Sequence, residues 1–204
     1  MGSKKVIGLN KSRILQTLEP FIELLKQYDA PYFYFAGGCL RNTLLGKAPN
    51  DYDIFTTSLE DAHKLIVILK DLHFQEIYRT ENSVKLFLLN SKVDISLEFF
   101  TQPANRFDHF DFTINCIAFD SNYKLYYQKN FFEHLSDLSL VKLNTKPPLL
   151  ELRYIKFLDD GFYSDFKPSD KIAELDIVTE GLWSGKDYPK YPKINLQKFC
   201  NNKL

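Results

Sequence analysis

The sequence lacks the features that would place it in several large protein classes. It has three cysteines in 204 residues, Cys39, Cys116 and Cys200, and no C-x-x-C pair, which argues against a disulfide framework and against a zinc finger. Lys and Arg number 26, as do Asp and Glu, so a purely electrostatic nucleic-acid binder is excluded. The longest aliphatic run, residues 65–69, is far shorter than the ~20 residues that span a bilayer, and the first residues have no apolar signal core. We therefore expect a cytoplasmic protein without membrane contact.

The composition and the order of predicted elements indicate a folded α+β protein. The hydrophobic share of 45% and the aromatic share of 15% exclude low-complexity disorder for the chain as a whole. Periodicity predicts helices at 12–28 (divided at Pro20), 40–45, 58–72, 149–158 and 172–178, and strands at 32–35, 51–56, 84–89, 93–100 and 114–119. We expect a mixed sheet flanked by helices in residues 1–145 and a short helical extension in residues 146–204.

Two acidic residues, Asp51 and Asp53, begin the predicted strand at 51–56. Residues i and i+2 of a strand point to the same face and lie about 6.6–6.8 Å apart, so both carboxylates project together. Such a pair suits Mg²⁺, which takes one or two carboxylates plus substrate phosphates. A D-x-D pair alone is also typical of a solvated turn. On a neighbouring strand, alternation puts Asp94 and Glu98 on one face, and only one of the two can serve as a third acid. A half-exposed antiparallel strand explains the same pattern equally well.

A diglycine turn, Gly37 and Gly38, separates the aromatic strand from the next helix. Glycine lets a backbone approach a ligand closely, and a helix start offers free N–H groups to a phosphate. A tight strand-to-helix turn without any ligand would use the same residues. No Walker A loop and no G-x-G-x-x-G motif is present in the sequence.

Four segments of the sequence together form a pattern. They are residues 37–46 (GGCLRNTLLG) with 51–54 (DYDI), residues 111–120 (DFTINCIAFD), residues 132–138 (FEHLSDL) and residues 152–162 (LRYIKFLDDGF). In this order they resemble class II CCA-adding enzymes and bacterial poly(A) polymerases, within the DNA polymerase β-like nucleotidyltransferase superfamily. The first segment is similar to the first motif of the family, and the second to its R-R-D-F-T-I-N-A-M-A-x-D segment. The third resembles the G-L-x-D-L that follows, and the fourth resembles the helix at the junction of head and neck.

The resemblance implies a nucleotidyltransferase head with a polymerase-β-like fold. It implies that Asp51, Asp53 and Asp94 hold two Mg²⁺ ions, and that a nucleoside triphosphate is the substrate. It assigns nucleotide binding to six residues: Gly37, Gly38, Arg41, Asp111, Asn115 and Arg153. The implied reaction is attack of an RNA 3′-hydroxyl, of tRNA or another RNA, on the α-phosphorus, with release of pyrophosphate.

The sequence also departs from the family pattern. Asn42 stands where an aspartate is usual, and His109 and Phe110 replace two arginines before Asp111. The E-D-x-x-R motif of the neck is not found. Two further hypotheses follow: a nucleotidyltransferase with a protein or small-molecule acceptor, and a nucleotide-binding module without turnover. Lys and Tyr residues alternate in the segment 186–198, where they can stack on bases or form a solvated terminal segment.

Overall fold

An eight-stranded mixed sheet forms the centre of the protein. The computed structural model describes residues 9–49, 51–89, 91–143, 150–164 and 177–181. The strand order is β3-β4-β5-β2-β1-β6-β7-β8, and every neighbouring pair is antiparallel except β2 and β5, which run parallel. The strands are β1 (Phe33–Ala36), β2 (Tyr52–Thr56), β3 (Gln75–Arg79), β4 (Ser83–Leu88), β5 (Ser91–Ser96), β6 (Ile117–Asp120), β7 (Lys124–Gln128) and β8 (Ile177–Gly181). The expected α+β architecture with a mixed sheet is confirmed.

Helices cover one face of this sheet. They are α1 (Ser12–Gln27), α2 (Gly38–Leu44), α3 (Leu59–Asp71), α4 (Phe131–Ser136) and α5 (Leu150–Asp159). The main hydrophobic core lies beneath them and includes Phe33 and Phe35 of β1 and Ile54 of β2. Within the described residues, no helix has the length and apolarity needed to cross a membrane.

The opposite face of the sheet carries a smaller core. Tyr34 of β1 and Phe55 of β2 stack on this face with their ring centroids 5.4 Å apart. A 3₁₀ helix, Pro103–His109, contributes Phe107 to the same cluster. Because side chains alternate along a strand, Asp53 lies on the face of Phe55. The candidate acids therefore lie on the face opposite the helical layer.

Four predicted elements were wrong in detail, and one of them is the strand predicted at 93–100, which ends at Ser96. Helix α1 continues through Pro20, because Leu18 and Ile22 on either side of it are buried and their packing outweighs the lost hydrogen bond. The strand predicted at 114–119 begins only at Ile117, since residues 113–115 form a 3₁₀ turn. Residues 177 and 178, predicted as the end of a helix, begin β8.

The predicted division at residue 145 stays a prediction. Residues 144–149, 165–176 and 182–204 lie outside the described residues, and so does the Lys- and Tyr-rich segment 186–198. The described parts of the extension nevertheless contact the head: Phe157 and Phe162 belong to the main core, and β8 pairs with β7.

Candidate active site

The turn between β1 and α2 requires glycine at one of its two positions. Gly37 has a φ of 75°, which side-chain-bearing residues rarely adopt, and its N–H donates to the Ile117 carbonyl at 3.0 Å. A Cβ atom at Gly37 would lie 3.4 Å from two ring carbons of Phe110. Gly38 is the first residue of α2 and has no positive φ. The turn thus places the start of α2 beside the sheet face that carries Asp53.

Three acidic residues come together, two on adjacent strands and one directly before the first of these strands. Asp53 of β2 is in register with Asp94 of β5, and Asp51 precedes Asp53 by two residues. Lys85 of β4 is the cross-strand partner of Asp94. Its Nζ lies 3.2 Å from Asp94 Oδ2 and 3.9 Å from Asp51 Oδ2. The ammonium group therefore pairs with two of the three carboxylates.

The electrostatics of Asp53 are those of a crowded carboxylate. Burial, followed by the charges of Asp51 and Asp94, raises the pKa of Asp53 to about 7, and Lys85 and Arg106 oppose this shift. Asp94 Oδ1 is buried and has no hydrogen-bond partner among the residues that the structure describes. An unpartnered buried carboxylate oxygen is costly unless a ligand satisfies it.

The carboxylate oxygens of these three acids are the kind of ligand that a hard divalent cation binds. Carboxylate oxygens are what Mg²⁺ prefers, and Asp53 and Asp94 offer them side by side. Across the described residues, however, no group of three or more His, Cys, Asp or Glu side chains is positioned to hold a metal ion. Binding in a two-ion arrangement therefore requires side-chain adjustment, and Lys85 is the cation that would have to move.

Four other residues predicted from the sequence form a second, connected network. Asp111 is fully buried and accepts a hydrogen bond from Asn115 Nδ2 at 2.7 Å and one from Arg153 Nη1 at 3.1 Å. Arg41 Nη1 donates to Asn115 Oδ1. The Arg41 guanidinium also lies 4.8 Å from the ring centroid of Phe157 in α5, and burial lowers its pKa. The network joins α2, the segment after the 3₁₀ helix and α5.

Sequence reasoning missed Arg106, whose guanidinium is surrounded by Phe rings near Asp53. The available signal was a lone arginine in an aromatic-rich stretch, FDHFDF, which follows it. Arg79, the arginine nearest to Lys85 in the sequence, lies on the exposed edge strand β3 and pairs with Glu76 at 2.7 Å. His109 is exposed and packs edge-on against Phe100, with centroids 4.9 Å apart.

Comparison with known sequences identifies one family. A family model described as Gabija anti-defense 2 family protein (Gad2) matches residues 9–138. A protein of Bacillus phage SPbetaL7, "Gabija anti-defense 2", is 27% identical over 157 residues, which cover 74% of this chain and 38% of that protein. The chain thus spans well under half the length of this relative. The resemblance to CCA-adding enzymes did not name this family.

Comparison with solved structures identifies the fold. The Thermotoga maritima CCA-adding enzyme complexed with tRNA has a TM-score of 0.56 and 22% identity, over 79% of this chain and 42% of that chain. The Bacillus stearothermophilus CCA-adding enzyme in complex with CTP has a TM-score of 0.53 and 21% identity, over 76% and 41%. A tRNA-processing enzyme in an apo form has a TM-score of 0.58 and 18% identity, over 81% and 46%. The chain therefore has the nucleotidyltransferase fold of these enzymes.

Proposed function

This chain belongs to the Gabija anti-defense 2 family, and we propose that it is a metal-dependent nucleotidyltransferase. The observation that carries the proposal is the register of Asp53 with Asp94 on parallel strands, beside the turn at Gly37. Like charges are costly to place together, and burial adds to the cost. A bound cation offsets both, whereas a purely structural sheet has no need of such a cluster.

The three acids would hold the metal. The residues that would bind Mg²⁺ are Asp51, Asp53 and Asp94. Among the described residues, Asp94 Oδ1 has no hydrogen-bond partner that would compete with the ion. Bound Mg²⁺ ions lower the pKa of an attacking hydroxyl and neutralise the charge that develops on the phosphate. The protein's own contribution is to align these side chains on one rigid sheet.

The remaining predicted residues would hold the nucleotide. The backbone at Gly37 and Gly38 would approach the triphosphate, and Arg41 would add a charge-assisted hydrogen bond. Asp111 and Asn115 would position the nucleotide, and Arg153 would hold Asp111 in place. The acceptor oxygen would attack the α-phosphorus, the bond from that phosphorus to the β-phosphate oxygen would break, and pyrophosphate would leave. The hydroxyl proton would pass to solvent.

An RNA 3′-hydroxyl is the acceptor that we propose first. Its support is the fold, shared with an enzyme solved in complex with tRNA and with a tRNA nucleotidyltransferase solved with a primer tRNA and an ATP analogue. We also propose that the protein acts in the cytoplasm, where nucleoside triphosphates and reduced thiols such as those of Cys39 and Cys116 are found.

A protein acceptor is the second candidate, and the family name favours it. An anti-defense protein directed at a system called Gabija would act most directly by modifying a component of that system. The chemistry at phosphorus would be the same, with a side-chain hydroxyl in place of the ribose 3′-oxygen.

One experiment separates these alternatives. The full chain is incubated with Mg²⁺, each α-³²P-labelled nucleoside triphosphate in turn, and either an RNA mixture (tRNA lacking its 3′ end, and oligo(A)) or purified Gabija components. We expect label on RNA, and label on protein alone would favour the second candidate. If no acceptor is labelled but calorimetry shows Mg²⁺–ATP binding, the protein is a nucleotide-binding module and the transferase proposal is wrong.

A further inference from the structure

We propose that Arg106 is a further cation, beside Arg41, that binds the triphosphate. This inference deepens the proposed function, on which it rests, because it names a residue of the substrate site. Arg106 lies in the 3₁₀ helix Pro103–His109 and matches none of the motifs in the sequence.

The position of Arg106 is set by three aromatic rings. Its guanidinium carbon lies 5.0 Å from the ring centroid of Phe55, and 5.2 Å from those of Phe100 and Phe110. A guanidinium stacks favourably on aromatic faces, so these rings hold its charge in one place. Preorganisation of this kind lowers the entropy that a ligand must offset on binding.

Two of these rings connect Arg106 to the candidate active site. Phe55 follows Asp53 by two residues on β2 and shares its face of the sheet. Phe110 lies against Gly37, 3.4 Å from where a Cβ atom would be. The guanidinium therefore lies between the strand that carries the acids and the glycine turn. A triphosphate whose oxygens reach both the acids' metal and the turn has to pass this region.

The hydrogen-bonding capacity of Arg106 is largely unused in the described part of the chain. Arginine has five N–H donors, yet the described partner is Glu98, whose Oε2 lies 3.4 Å from Nη1. This distance is long for a charge-assisted hydrogen bond, which is usually about 2.7–2.9 Å. The Nε atom is buried, and none of the described residues accepts a hydrogen bond from it. The side chain as a whole keeps 18% exposure, so a ligand can reach it from solvent.

The guanidinium of Arg106 is suited to bind phosphate oxygens. The planar fork of arginine matches two oxygens of one phosphate group, which a lysine ammonium cannot do. Glu98 is half-exposed and competes for the same fork. A phosphate carries more charge than a carboxylate and would displace it.

The test uses inorganic tripolyphosphate with Mg²⁺ as the probe, because it has no base and needs no acceptor. Binding to the full chain is measured by calorimetry for the unaltered protein and for Arg106→Gln, Arg106→Lys and Glu98→Gln. Arg79→Gln is the matched control, since Arg79 lies on the edge strand and pairs with Glu76. We expect Arg106→Gln to weaken binding by about tenfold or more, Arg106→Lys to restore part of the loss, and Arg79→Gln to have no effect.

Glu98→Gln moves the affinity in the opposite direction. It removes the competing carboxylate without changing the guanidinium, so we expect tighter tripolyphosphate binding. If Arg106→Gln does not fold, the affinity of Glu98→Gln tests the proposal instead. Unchanged affinity in Arg106→Gln and Glu98→Gln, with melting temperatures like that of the unaltered protein, would overturn the proposal. The proposal would also be overturned if Arg106→Gln lost binding to an RNA oligonucleotide but kept its affinity for tripolyphosphate. The two proposals can fail separately. If the protein binds tripolyphosphate through Arg106 but transfers no nucleotide, the role of Arg106 stands and only the proposed transferase activity is wrong.

Discussion

At the residue scale, the chemistry of this protein depends on how a few charges are balanced on one face of the sheet. Asp51, Asp53 and Asp94 repel one another, and the balancing cations in the described structure are Lys85 and Arg106. The two cations differ in their attachment. Lys85 pairs directly with carboxylates, whereas Arg106 is held by aromatic rings and leaves donors available.

Replacement of Asp53 tests the role of the acids. We expect Asp53→Ala to reduce nucleotide transfer by more than about 100-fold. Loss of a group that only hydrogen-bonds to a metal ligand costs about 10–100-fold, and loss of a ligand itself costs more. The melting temperature should stay the same or rise, since like-charge repulsion is relieved. Asp71→Ala, at the exposed end of α3, is the control and should change neither quantity. Loss of folding along with activity would show that Asp53 has a structural role instead.

Replacement of Lys85 tests whether its ammonium competes with a divalent cation. Lys85→Met keeps a linear side chain but removes the charge that pairs with Asp94. We expect a lower melting temperature without metal and a tenfold gain in Mg²⁺ affinity, or about 1.4 kcal/mol. At one Mg²⁺ concentration that saturates both proteins, Mg²⁺ should raise the melting temperature of Lys85→Met by roughly 3–6 °C more than that of the unaltered protein. Lys64→Met on α3 is the control, and equal shifts in all three proteins would refute the competition.

At the scale of elements, the turn between β1 and α2 sets the distance between the sheet and the helix start. Gly37 adopts a backbone conformation that suits glycine, whereas Gly38 does not. The ring of Phe110 closes the space beside Gly37. The two neighbouring glycines therefore make a matched pair for mutation.

We expect Gly37→Ala to destabilise the protein by about 1–3 kcal/mol, because alanine is strained at this φ. Gly38→Ala should change the stability by less than about 0.5 kcal/mol, since its Cβ would meet the end of the Arg41 side chain at 3.6 Å. Urea denaturation of both variants measures the difference. Equal destabilisation by the two substitutions would contradict the conformation described for this turn.

At the scale of the whole molecule, α5 is tied to the head by both packing and charge. Phe157 is buried in the main core and also stacks with Arg41, and Arg153 pairs with Asp111. The outer side of the helix has exposed apolar residues, among them Leu152 and Ile155. We therefore expect the head and α5 to unfold together.

Substitution in α5 tests this cooperativity. Phe157→Ala should lower the free energy of unfolding of the entire protein by about 3–5 kcal/mol, because it leaves a cavity in the shared core. Ile155→Ala, on the exposed side of the same helix, should have little effect. Calorimetry distinguishes the outcomes: two separate transitions, with the larger one unchanged in Phe157→Ala, would show that the helix folds apart from the head.

Features that depend on neighbours in the chain could be predicted from the sequence. The helix predicted from residue 58 begins there, because the Ser58 side chain caps α3 by accepting a hydrogen bond from the Asp61 N–H. Strand alternation placed Asp51 and Asp53 on one face, and the glycine turn was located correctly. Such features follow from backbone geometry and local hydrogen bonding, which a short window of residues specifies.

Contacts between distant segments do not follow from local pattern. The resemblance implied that Asp94 joins Asp51 and Asp53, but not the parallel pairing that aligns Asp53 with Asp94. The approach of Lys85 to Asp94 and the three rings around Arg106 also join residues far apart in the chain. The continuation of α1 through Pro20 likewise depends on burial against the sheet. Local pattern determines which acids share a strand face. The cations that meet those acids are determined by long-range packing, because burial and charge balance exist only once the sheet has assembled.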